Sequence, residues 1–367
     1  MRRSVATLMV LSIAACTGTT GDAPLIPVTV ATTVETTSPA PTTTQEQAPT
    51  TSTPAAATST TDSPALAPED LVVESFPVRS GSGPHDVAPA LDGGVWYTAQ
   101  ASGELGWLDP VTGETRHTDL GSGSSPHGVI VDGAGTAWVT DSGLNAMVAV
   151  DPSGVEVNAY PLPEDRPGVN LNTASFDGEG MLWFTGQGGV YGRLDPVTGV
   201  MTVFDAPDGQ GPYGITTTPA GDIYYASLAG SYVGAINDDG STTVLEPPTA
   251  EQGARRVWSD SQGRVWVSEW NAGNLSRYTP QTETWDTWHL PGDGPQPYAV
   301  FVDDRDIVWA SDFGSNSIVR FDPTTEEFHI FALPHDPGNV RQILGRVGEV
   351  WFPESAADNL VLIRTTG

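Results

Sequence analysis

The sequence contains no lysine, and its 15 basic residues are all arginine. A Schiff-base lysine and the phosphate-cradling lysine of a P-loop are therefore excluded. Positive charge is scarce: 45 acidic residues against 15 basic ones give a formal net charge of −30. That balance repels phosphate backbones and anionic lipid surfaces, which argues against a nucleic-acid binder. Cysteine is nearly absent. Cys16 stands alone, so the rest of the chain has no internal disulfide, no thiol nucleophile and no thiolate zinc site. Sustained helical periodicity is also missing. Glycine and proline, by contrast, are plentiful, with 41 and 31 copies.

The N-terminus reads as an address. In residues 1–16, Arg2 and Arg3 precede a short apolar stretch, Leu8–Ala15. It is too short to span a bilayer stably and fits a secretory signal. Ile13-Ala14-Ala15-Cys16 resembles a bacterial lipobox, which implies cleavage before Cys16 and acylation of its thiol. The protein is then expected outside the cytoplasm, held to the bacterial cell membrane by lipid rather than by a spanning helix. Residues 17–67 are mostly Thr, Pro, Ala and Ser. Such a segment cannot bury enough apolar surface to offset its ordering entropy, so a disordered stalk, open to O-glycosylation, is expected there.

Residues 68–367 repeat. A W-[FYV]-[TS]-like tripeptide begins at Trp96, Trp138, Trp183, Trp266, Trp309 and Trp351, and Tyr224-Tyr225-Ala226 fills the same slot. The spacings are 42, 45, 41, 42, 43 and 42 residues. A period near 40–45 is that of propeller blades, each a four-stranded antiparallel sheet. Within each unit, β-branched and aromatic residues alternate between Gly/Pro punctuation. Asp92-Gly93, Asp177-Gly178 and Asp303–Asp306 resemble calcium loops superficially, but their place between first and second strands makes them hairpin turns. The seventh unit lacks an outer strand, and Val72–Val78 looks like the missing one. The fold class expected is all-β: one seven-bladed propeller whose N-terminal strand closes the last blade.

Pro126-His127-Gly128-Val129, Pro212-Tyr213-Gly214-Ile215, Trp183-Phe184-Thr185 and Gly192-Arg193-Leu194 together resemble the repeats of the streptogramin B lyase (virginiamycin B lyase) family. The resemblance spans the whole repeat region. It implies opening of a cyclic depsipeptide by elimination at its ester, with magnesium. It also implies a histidine in one P-H-x-I motif and an E-P-H motif in the next blade. His85 matches the first histidine and His127 the second, as catalytic residues. The glutamate slot departs from the pattern: across the seven units it holds Gly83, Ser125, Asn170, Gly211, Gly253, Gln296 and Asn339.

Counting back from each repeat anchor gives one equivalent inner-strand residue per blade: His85, His127, Asn172, Tyr213, Arg255, Tyr298 and Arg341. This ring should face the channel, where propellers bind ligands, with Asn172, Tyr213, Arg255, Tyr298 and Arg341 as substrate-binding groups. Desolvated arginines there suit a carboxylate, phosphate or sugar acid. Three residues after the anchors lie Asp141, Glu269, Asp312 and Glu354. They are placed to pair with Arg255 and Arg341, to hold a hard cation, or to form a network of ion pairs and hydrogen bonds that ties blades together. His117, His289, His329 and His335 fall on outer strands or loops and read as surface residues.

Two functions fit these residues. One is an extracytoplasmic carbon–oxygen lyase acting on a cyclic or anionic small molecule. The other is a non-catalytic ligand- or protein-binding, sensing propeller at the cell surface. Either expects a small-molecule, glycan or peptide ligand at the rim, no nucleic acid, membrane contact only through the lipid anchor, and a monomer.

Overall fold

The computed structural model describes residues 66–366. The expected signal sequence, the acylated Cys16 and nearly all of the stalk lie outside the described residues. Apart from one 3-10 turn, Pro68–Asp70, every described element is a strand, and the strands form seven four-stranded antiparallel sheets. Blades 1 to 6 begin with inner strands Pro84–Pro89, Pro126–Val131, Leu171–Phe176, Pro212–Thr217, Ala254–Ser259 and Pro297–Val302. Blade 7 is Leu344–Arg346, Glu349–Glu354 and Asn359–Arg364, completed by Val72–Pro77 pairing antiparallel with Asn359–Arg364. The ring closes by non-local pairing, as the leftover N-terminal strand predicts, and no blade edge is left at the junction.

The repeated tripeptide has three separate physical tasks. Its first residue packs between blades: Trp266 stacks on Trp288 at 5.4 Å and meets Phe321 of blade 6 edge-on at 5.9 Å. Its second residue is buried on the opposite face. In blades 1, 3 and 4 that residue is Tyr97, Phe184 or Tyr225, and the partner on the third strand is Gly106, Gly192 or Gly234, whereas Phe352 of blade 7 faces Val361. A Cβ on those glycines would lie 2.1–2.5 Å from the ring. Where the second residue is Val139, Val267 or Ala310, the partner carries a side chain: Val148, Ser276 or Val319. The glycine of the G-R-[IL] motif is thus the seat of an aromatic ring.

The third residue supplies a hydroxyl that links neighbouring blades. Thr98 Oγ1 accepts from the Asp86 amide at 2.9 Å and donates to the His127 carbonyl at 2.8 Å. Thr140 accepts from the Gly128 amide and donates to the Asn172 carbonyl, and Ser268 connects the Arg256 amide to the Tyr298 carbonyl. The relay exists because each of these inner strands carries a bulge, where two residues oppose one on the second strand: Pro84 pairs with Ala99, but Val87 pairs with Tyr97.

The hairpin turns also repeat. Asp132, Asp177, Asp260 and Asp303 each accept the indole N–H of the tryptophan six residues on, at 2.8–3.0 Å. Their other oxygen caps backbone amides of the turn, as in Asp303 with Arg305 and Ile307. These are hairpin turns, as expected.

Candidate functional site

In blades 1 to 6 the bulges deliver two consecutive residues, not one, to the channel end of the inner strand. His85 and Asp86 enter together from blade 1, Asn172 and Thr173 from blade 3, Arg255 and Arg256 from blade 5. The residue after each ring position is therefore part of the site. Asp86, Thr173 and Arg256 were not anticipated from the sequence. The available signal was that they are polar where blades 2, 4 and 6 carry Gly128, Gly214 and Ala299.

His85 and His127 pack against each other, with ring centroids 3.9 Å apart and planes tilted by 47°, and are only 4% and 5% exposed. Their hydrogen bonds set different tautomers. His85 Nδ1 lies 2.7 Å from Asp86 Oδ1, and the ionised carboxylate can only accept. Nδ1 therefore carries the proton, and Nε2, which makes no hydrogen bond among the described residues, keeps its lone pair. His127 Nδ1 donates to the Asn172 carbonyl at 3.1 Å, and its Nε2 accepts from the Asn172 amide nitrogen at 3.2 Å. Its lone pair is already committed.

Asp86 is held between His85 and the Arg256 guanidinium, which reaches it at 3.3 Å and also donates to Thr173 Oγ1. Burial pushes the Asp86 carboxyl up, against the pull of Arg256. Burial, then the charges of Arg256, Arg341 and Arg255, push the His85 imidazole well below its usual value. His127 is lowered as well, first by burial and then by His85. Both rings are neutral at neutral pH.

On the other side of the channel, Tyr213 and Tyr298 share a hydroxyl–hydroxyl hydrogen bond. Burial would raise Tyr213, but Arg255 and Arg256 pull it below the usual range, while burial raises Tyr298. Arg255 lies 3.5 Å above the Tyr298 ring and 4.4 Å from Trp270, and Phe313 stacks on Tyr298 at 5.0 Å. Arg341 approaches from the segment before the short inner strand of blade 7, where Val340–Ile343 forms no ladder. Beneath these groups the channel narrows to a cavity of about 30 Å³, lined by Asp86, Thr173, Arg256, Gln342 and inner-strand aliphatics.

The structure therefore brings His85, His127, Asn172, Tyr213, Arg255, Tyr298 and Arg341 to one end of the channel. It does not bring Asp141, Glu269, Asp312 and Glu354 there. Each stays in its own blade, at the end of a second strand, with its oxygens occupied. Asp141 accepts from the Ser125, Gly143 and Leu144 amides, and Asp312 from the Gln296 and Gly314 amides. Glu269 accepts from Asn274 and Ser276, and Glu354 from Asn359 and His335. None forms an ion pair with Arg255 or Arg341 among the described residues; they fasten loops.

Two of the histidines read as surface residues also take part in packing. His117 Nε2 lies 3.0 Å from the buried Tyr97 hydroxyl, and His335 pairs with the buried Glu354.

The donor set does not suit the divalent cation that the resemblance implies. Ligand atoms of His85, Asp86 and His127 lie within 4.8 Å of one another. However, the Asp86 carboxylate is spent on His85 and Arg256, the His127 lone pair is taken, and three guanidiniums crowd the spot. A dication there would face net positive charge.

Comparison with known proteins agrees with this architecture. The sequence model of the virginiamycin B lyase family matches residues 65–314 and 120–367. A virginiamycin B lyase of Nocardia farcinica (strain IFM 10152) is 30% identical over 222 residues, covering 60% of this chain and 74% of its own length. The structure of virginiamycin B lyase from Staphylococcus aureus superposes with a TM-score of 0.75 at 17% identity, over 80% of this chain and 99% of that one. The extracellular domain of a putative hybrid two-component system from Bacteroides thetaiotaomicron aligns at a TM-score of 0.65 and 14% identity, over 80% of this chain and 43% of that one.

Proposed function

We propose, for a chain that belongs to the virginiamycin B lyase family, that the channel end catalyses β-elimination of a small cyclic or anionic ester, with His85 as the base. The observation that carries this reading is the His85–Asp86 pair. A carboxylate fixes the tautomer and orientation of a neutral imidazole whose other nitrogen is free to take a proton. In the step proposed, His85 Nε2 removes a proton from the carbon next to a carbonyl. A carbon–carbon double bond forms, the neighbouring C–O bond breaks, and the ester oxygen leaves as a carboxylate. Asp86 stabilises the imidazolium that results. His127, with its lone pair occupied by Asn172, packs against His85 and positions it. The expected setting is the outer face of the bacterial membrane, with the chain tethered through Cys16.

The test is incubation of the purified protein with a streptogramin B depsipeptide, followed by chromatography and mass spectrometry. Elimination shifts retention without changing mass, whereas hydrolysis adds a water. The lyase reading expects a product of unchanged mass that disappears in His85→Ala. Hydrolysed product, or activity that survives His85→Ala, refutes it.

A second reading, a ligand-sensing propeller without catalysis, is favoured by one observation: the histidine pair is nearly closed off, at 4% and 5% exposure. Its outcome in the same experiment is an antibiotic recovered unaltered. The likeness to an extracellular two-component domain is compatible with that role.

A further inference from the structure

We propose that Arg255 and Arg341 form a carboxylate-binding subsite at the mouth of the channel, with Trp270 and Phe313 as an aromatic ledge beside it. The charge inventory points there first. In a protein of net charge −30, Arg79, Arg116, Arg166, Arg256, Arg264, Arg277, Arg346 and Arg364 all have carboxylate partners. Arg255, Arg341, Arg193 and Arg320 have none among the described residues; Arg193 and Arg320 lie on third strands, whereas Arg255 and Arg341 are the two ring positions that carry arginine, and both are partly exposed. With Arg256 they place three positive charges against the one negative charge of Asp86. All three act on His85, so they converge on one spot. A low-dielectric mouth lined this way focuses a positive potential within an acidic surface.

The geometry of Arg255 then narrows the class of ligand. Its guanidinium carbon lies 3.5 Å from the Tyr298 ring centre, 4.4 Å from that of Trp270 and 4.9 Å from that of Tyr213, and its Nε is buried without a partner. The three rings hold the guanidinium in place and leave its terminal N–H groups. Their one polar contact is Nη2 to the Tyr213 hydroxyl, at a long 3.4 Å. A fixed planar fork with free N–H donors suits a planar carboxylate. Trp270 and Phe313, 5.5 Å apart and both partly exposed, offer a face to a flat group attached to it. The subsite belongs to the same channel end as His85. Its catalytic meaning, reception of the carboxylate released by C–O cleavage, rests on the lyase reading; its binding does not.

The test is titration of the full-length protein with benzoate and, separately, with benzamide, its neutral counterpart of the same shape, followed by calorimetry and ligand-observed NMR. The subsite predicts benzoate binding at least tenfold tighter than benzamide. It also predicts weakening with added salt, and a loss of tenfold or more in both Arg341→Gln and Arg255→Gln. Arg193→Gln, on the third strand of blade 3, should change nothing. Among the described residues Arg341 makes no aromatic contact of the kind that holds Arg255, so Arg341→Gln keeps the proposal testable should Arg255→Gln misfold. Equal binding of the two probes, insensitivity to Arg341→Gln, or inorganic phosphate binding tighter than benzoate would overturn the carboxylate assignment. Charge-selective binding without any ring opening of depsipeptide would reject the lyase reading alone and leave the subsite standing.

Discussion

Blade 1 contains a defect that the other blades show how to repair. Trp96 is buried, and its indole Nε1 has no hydrogen-bond partner. In blades 2, 3, 5 and 6 the equivalent indole is met by a carboxylate six residues earlier, and in blade 7 Glu349 serves Trp351 at 2.7 Å. In blade 1 that position is Ala90, and the nearby Asp92 is engaged by Gly94 and Trp107 instead. The backbone is already right: Ala90 N donates to the Gly94 carbonyl, as Asp132 N donates to Thr136. Arg346, 3.3 Å from the Ala90 carbonyl, would offset the charge of a new carboxylate. A buried unsatisfied N–H costs about 1–3 kcal/mol, and a new charge gives part of that back as desolvation, so Ala90→Asp should stabilise by about 1 kcal/mol. For a domain of this size that raises Tm by roughly 2–3 °C. Calorimetry would measure it, with Asp303→Ala as the mirror experiment. That change strands the Trp309 indole and two backbone amides and should cost about 2–4 kcal/mol. In a Trp96→Phe background the gain from Ala90→Asp should shrink to what capping the turn amides supplies, since the indole that needs a partner is gone. An undiminished gain there, or an Asp303→Ala protein as stable as the parent, would refute the reasoning.

Three further outcomes follow from the same geometry. Thr140→Val removes the hydroxyl between the Gly128 amide and the Asn172 carbonyl; it should cost about 1–3 kcal/mol, read by denaturant unfolding, whereas Thr140→Ser should cost little. The slot two residues before each ring position is left-handed at Gly83, Asn170, Gly211, Gly253 and Asn339, but not at Ser125 or Gln296. Ser125→Glu should therefore fold normally and increase depsipeptide opening, while Gly83→Glu loses about 1–2 kcal/mol to backbone strain; unchanged turnover in Ser125→Glu would show that the glutamate is not limiting. His85 and His127 stay neutral in the folded protein at pH values where the unfolded chain binds protons. Their contribution is full above the unfolded value near 6.5 and is lost as pH falls below it, by up to about 4 kcal/mol between pH 7 and pH 5 for the pair. Asp86, shifted upward by burial, opposes the loss at the acid end. Unfolding of the parent and of His85→Asn/His127→Asn at both pH values measures this, and parallel pH dependences would contradict it.

The propeller was legible in the sequence because its determinants are local and repeat. Tryptophan spacing, Asp-Gly turns and a stray N-terminal strand each carry their meaning within a few residues. The slot two before each ring position is locally constrained in five of the seven blades, where the backbone adopts φ between 52° and 137° and Gly or Asn is preferred, but Ser125, the position that matches the family's glutamate, is not among them. The ring residues were countable for the same reason. The bulge was not, because a register shift of one residue leaves no mark in composition and shows only as pairing with another strand. Asp86 and Arg256 were missed through that shift. The four carboxylates at the second-strand ends were placed correctly along the chain, but the loop amides that hold Asp141 and Asp312 have no side-chain signature, and the side chains that hold Glu269 and Glu354 are ordinary polar residues of the following strand and a neighbouring loop.

Family membership and site chemistry therefore separate in this molecule. The residues that make it a propeller of this family, the tryptophans, seated aromatic rings and hydroxyl relays, are those that position the inner strands. They fix where the bulges fall without dictating what the bulges carry. In blade 5 the bulge carries Arg255-Arg256, one paired to Asp86 across the channel and one left without a carboxylate. An arginine buried against an acid 170 positions away in the chain links blades 1 and 5 through the centre. Removing its charge with Arg256→Met would leave Asp86 buried and unpaired, a change that costs about 3–5 kcal/mol when one partner of a buried pair is lost. The paired change Arg256→Met with Asp86→Leu should recover much of that stability, while still abolishing any reaction that needs an oriented His85. Stability recovered with turnover lost would identify the buried pair as machinery for the site; turnover recovered with stability would reduce it to a fastening between blades.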